Sequence, residues 1–100
     1  MLQPCYEWEG FHDCPEREAQ FAAEYDASHP RGRFNAYHPL LAAHRWLCTA
    51  EGYKYEQNSA GEAQSRAEYG MMLAKARRSS DPMMRAAAGA LGSRNTCYSD

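Results

Sequence analysis

The chain has 100 residues, a net charge of −2 and a charged fraction of 24%. That is the size of one domain with little apolar material to spare, and too balanced a charge to hold nucleic acid or anionic lipid by bulk electrostatics. No stretch approaches the roughly 18–20 apolar residues of a membrane span, and no basic stretch followed by an apolar run opens the chain, so a cytoplasmic protein without membrane contact is expected.

Valine and isoleucine are absent, whereas alanine occurs seventeen times and methionine five times. Residues branched at Cβ favour sheet, while alanine, leucine, methionine, glutamate and arginine favour helix. The expected fold is all-α, a compact bundle of three to four helices. Its parts are an extended aromatic N-terminal arm (1–12), a helical bundle domain (13–92) and a flexible C-terminal tail (93–100). Cys5, Cys14, Cys48 and Cys97 are expected as reduced thiols, since no export signal accompanies them.

The arm carries Tyr6, Trp8 and Phe11 among acids, with no helical period. The first helix is expected from Asp13, with Pro15 in the first turn and Glu16 positioned for a capping box. Its predicted apolar stripe is Cys14, Phe21, Ala22 and Tyr25. His29–Pro30–Arg31–Gly32–Arg33 breaks it. A second, central helix is expected from Pro39 to about Gly52, with apolar residues over more than half its circumference. Residues 53–58 read as either a polar connection or a helical continuation. Ser59 and Glu62 then form the expected capping box of a third helix reaching Arg78 or Ser79. Asp81–Pro82 starts a short fourth helix that ends at Gly92.

The third helix places Ala60, Ala63, Ala67, Gly70 and Ala74 on one face at spacings of three and four. A second helix can approach such a face closely, either the second helix of the same chain or another copy in a homodimer. Tyr37, Tyr53, Tyr55, Trp8 and Met72 are the candidate partner contacts, because aromatic side chains and exposed thioethers bury much area at interfaces. His44 and Cys48 lie one turn apart, so with Cys14 they make a candidate metal site, although a thiol or imidazole on an apolar face more often belongs to the core. His44 and Cys48 as base and nucleophile lack a cleft and an oxyanion donor.

Arg31, Arg33, Arg77 and Arg78 are the phosphate contacts of an alternative, DNA-binding reading. The run Arg85–Tyr98 resembles the turn of a helix-turn-helix, which implies a recognition helix after Gly92, yet few residues remain to build one. With no catalytic or cofactor motif in view, the expected function is that of a small non-enzymatic protein-binding regulator. The most concrete form is a stoichiometric inhibitor or antiactivator of bacterial or phage type that masks a larger protein. A zinc-stabilised helical module is the third reading.

Overall fold

The computed structural model describes residues 11–28, 37–94, 96 and 97. Over these it has helices α1 (Asp13–Ser28), α2 (Tyr37–Tyr55), α3 (Ser59–Arg77) and α4 (Pro82–Gly92), and the described residues contain no strand. The chain is all-α, as its composition demands. The expected arm lies outside the described residues apart from Phe11 and His12, as do Trp8, Arg31 and Arg33.

Helix ends follow local chemistry. Asn58, not Ser59, caps α3, its side-chain oxygen accepting the Gly61 N–H at 2.9 Å. The Asp81 carboxylate accepts the Met83 N–H at 2.9 Å and Pro82 fills the first position of α4, where a missing N–H costs nothing. α2 runs past Gly52 to Tyr55, which resolves the ambiguity over residues 53–58: three residues continue the helix, and a tight turn follows in which Gln57 takes φ 61°. That left-handed conformation costs a side-chain-bearing residue about 1 kcal/mol, and it reverses the chain so that α3 returns along α2.

Gly52 is not a terminator but a contact point. A Cβ there would lie 2.5 Å from the His12 backbone nitrogen and 2.7 Å from the carbonyl carbon of Phe11, so only glycine lets the segment before α1 cross α2 so closely. The crossing is fastened by polar groups. The Glu56 carboxylate accepts the His12 backbone N–H at 2.9 Å and meets its ring Nδ1 at 2.6 Å, and the imidazole stacks on Tyr53 at 4.1 Å. These hydrogen bonds hold the Glu56 carboxyl below its ordinary pKa.

α2 packs against each of the other three helices. One cluster, between α2, α3 and α4, contains Ala43, Leu47, Cys48, Leu73, Ala76, Ala88, Leu91 and Cys97. A second, between α1 and α2, contains Ala19, Ala22, Ala42 and Trp46. Half-buried Tyr69 and Met72 pack against both. Met72 is therefore a core side chain, not the exposed thioether expected; on the next residue round the helix, Met71 is the exposed one.

The inward face of α1 shares only Ala22, among its buried residues, with the expected stripe. Pro15, Ala19, Ala22 and Asp26 are buried, while Phe21 and Tyr25 are exposed. Spacings of three and four define either face, and the larger side chains suggested the wrong one. Small residues let α1 lie close to α2, and Asp26 tolerates burial because Lys75 of α3 forms an ion pair with it.

Candidate functional site

Three regions carry chemistry. The first is the outer surface. Ala60, Ala63, Ala67, Gly70 and Ala74 are all exposed, opposite the face of α3 on which Ser65, Leu73 and Ala76 are buried. The expected close packing of this strip on α2 does not occur; α3 meets α2 through its other side. A surface helix normally turns charge outward, yet here Met71 joins the small residues, so a band without charge faces away from the bundle.

Aromatic side chains collect at the two ends of α2. At its start, Tyr25 lies 4.6 Å from His38, with Phe21 and Tyr37 adjoining. At its end, Tyr55 meets Phe11 edge-on at 5.7 Å. The 19 residues from Tyr37 to Tyr55 set the patches about 27 Å apart at a rise of 1.5 Å per residue. Tyr37 and Tyr55 are thus accessible, as the contact assignment requires. Tyr53 is committed within the chain, donating to Glu16 at 2.5 Å. That hydrogen bond, with burial, pushes its phenol up to about 12. Its ring lies over Gly61, where a Cβ would come within 2.4 Å of it.

The second region is a cleft of about 290 Å³ between α1, α2 and α3, walled by Glu16, Gln20, Gln64 and Glu68 and floored by Trp46 and Tyr53. Trp46 is 8% exposed, and its indole N–H has no hydrogen-bond partner among the described residues. Tyr53, protonated at every physiological pH, supplies no base here.

The third region surrounds His44. Cys48 and Cys97 form a disulfide with Cα atoms 4.8 Å apart, and Cys14 is disulfide-bonded as well. The expectation of reduced thiols is overturned. Cys14 is therefore unavailable to the proposed metal set, and Cys97 stands in its place beside His44 and Cys48. The expected loose tail is tied down at the same point: Cys97 is 5% exposed and its N–H is accepted by Glu51. No signal in the spacing pairs residue 48 with 97, since they lie 49 residues apart.

His44 Nε2 lies 3.8 Å from Cys48 Sγ and 3.9 Å from Cys97 Sγ, and Arg45 donates to Nδ1 at 2.5 Å while its Nε reaches Glu18 at 2.6 Å. Burial, then Arg45 and Arg94, push the His44 pKa below its ordinary value. These effects favour the neutral ring, the state in which imidazole ligates metal.

Of the four candidate phosphate contacts, Arg77 and Arg78 are among the described residues. The Arg77 guanidinium lies over Gly92 at the C-terminal end of α4, where the helix dipole favours a cation. Arg78 caps α3. No helix follows α4 among the described residues, so the resemblance to a helix-turn-helix gains no recognition helix. Searches against protein-family models, curated proteins and solved structures give no match.

Proposed function

We propose that the protein is a small non-enzymatic regulator that binds a larger protein and masks one of its surfaces, as a stoichiometric inhibitor or antiactivator does. One observation carries this reading. Among the described residues, the buried large apolar side chains are Trp46, Leu47, Leu73 and Leu91, whereas Phe11, Phe21, Tyr25, Tyr37, Tyr55, Met71 and Met83 stand 40–76% exposed. Leu40, Leu41, Tyr69 and Met72 complete the core only as half-buried side chains, so exposed large apolar groups outnumber buried ones. Single exposed hydrophobics are ordinary, but seven large ones on a bundle with so thin a core support burial against a partner.

Tyr37, Tyr55 and Met71 are the contact residues this reading favours, with Trp8 retained from the sequence. Tyr53 and Met72 serve the fold instead. The strip from Ala60 to Ala74 is the surface for self-association or for a partner helix. Affinity capture from native extract, followed by binding measurements on the isolated partner, tests the reading. Tyr55→Ala and Met71→Ala are expected to weaken binding at least about tenfold with Tm unchanged; full affinity in both variants would refute the contact assignment.

A further inference from the structure

The fold brings together three metal-binding groups that the sequence scatters. His44 and Cys48 come from consecutive turns of α2 and Cys97 from the segment after α4, and their ligand atoms lie within 4.8 Å of one another. In a tetrahedral zinc site with Zn–S near 2.3 Å and Zn–N near 2.0 Å, neighbouring ligand atoms stand about 3.5–3.8 Å apart. The distances of 3.8 and 3.9 Å from His44 Nε2 to the two sulfurs already approach that spacing. Only the sulfurs, joined in the disulfide, must separate.

We propose that reduction of the Cys48–Cys97 disulfide converts this cluster into a Cys2His centre for a zinc-type divalent cation. A phosphine reductant breaks the S–S bond and takes up the oxygen of water as phosphine oxide, leaving two thiols. The cation then displaces a proton from each thiol, forming two metal–sulfur bonds, and His44 Nε2 supplies the third bond. Because Arg45 donates to Nδ1 in the disulfide form, the neutral ring holds its proton on Nε2. Metal binding moves that proton to Nδ1, and Arg45 turns wholly to Glu18, to which it is already bonded. The fourth position is left to water. The Arg45 guanidinium beside His44 favours the two thiolates once they form.

Cobalt(II) titration of the phosphine-reduced protein tests the proposal. Reduced wild type is expected to bind one equivalent with thiolate-to-cobalt charge-transfer absorption and tetrahedral d–d bands, both lost on adding zinc, while the oxidised protein binds none. His44→Gln should keep the charge-transfer band but weaken affinity at least about tenfold, since losing even a supporting residue costs 10–100-fold. Its fold can be checked by circular dichroism with the disulfide intact. Cys97→Ser should lose part of the charge-transfer intensity relative to reduced wild type, which equally lacks the disulfide. Should reduction unfold the chain, zinc is expected to restore helical dichroism. Absence of cobalt–sulfur absorption in reduced wild type, a spectrum unaltered by Cys97→Ser, or affinity unaltered by His44→Gln would overturn the proposal.

Discussion

Alanine serves opposite purposes on α2 and α3. On α2, Ala42, Ala43 and Ala50 have no exposed surface and let three helices crowd one axis. On α3, Ala60, Ala63, Ala67 and Ala74 face outward. A side chain this small contributes little by its own burial, so its effect depends on what approaches it. On α2 the neighbours are present; on α3 the approach is left to another molecule. Perturbing the inner region should therefore unfold the protein, and perturbing the outer region should leave the fold intact.

The largest loss of stability is expected at the Cys48–Cys97 link, which joins α2 to the segment after α4 across 49 residues of separation. A loop of that length gives about 4 kcal/mol in the chain-entropy account. Cys97→Ser, which removes this link and leaves the Cys14 disulfide in place, should lower stability by that order in denaturant titration. Next comes Leu47→Ala, the removal of a 1% exposed side chain from the α2–α3–α4 cluster. It should cost about 3 kcal/mol by lost transfer energy and a residual cavity. Gly52→Ala drives a methyl group into the His12 backbone and should cost about 1–3 kcal/mol as α2 and the segment before α1 are forced apart. Fluorescence-monitored urea melts rank all three.

Tyr53→Phe is a milder break of the same corner. It removes the hydrogen bond to Glu16 at about 1 kcal/mol. It should also abolish the tyrosinate absorbance that appears only near pH 12. The sign of the pH effect is fixed. The folded phenol keeps its proton while the unfolded one loses it near 10, so this contribution is intact below pH 10 and is lost as pH rises toward 12. A phenol titrating near 10 in the folded protein would remove the bond to Glu16 from the account.

Helix content, the Asp81 cap, Pro82 and the centrality of α2 were legible because they depend on local propensity and periodicity. Facing was less legible. The expected stripe places Ala22 inward correctly; Phe21 and Tyr25 outweigh Ala19 in any apolar count, yet close packing selects the alanines. Met71 and Met72 are chemically identical neighbours, and only the placement of α2 decides which is buried. The partial metal set was readable in His44 and Cys48, one helical turn apart. Cys97 was not, because pairing across 49 residues is a property of the closed fold, and no spacing rule connects a mid-helix cysteine to one beyond the last helix.

The smallest effect on stability is expected on the outer strip, where the comparison is most exposed to failure. Ala67 is exposed midway along the uncharged band of α3, and glutamate is nearly as good a helix former as alanine. Ala67→Glu should therefore shift stability by less than about 0.5 kcal/mol. The same change places an unpaired charge where a neighbouring helix would have to lie, and desolvating it on association costs far more than the methyl group contributed. If the band is a contact surface, Ala67→Glu abolishes association measured by sedimentation or partner binding while the urea midpoint stays fixed. If association persists unchanged, contact must run through the aromatic ends of α2 alone. If the midpoint falls by several kcal/mol equivalents instead, Ala67 is a packing residue, and the distinction between the inner and outer alanines collapses.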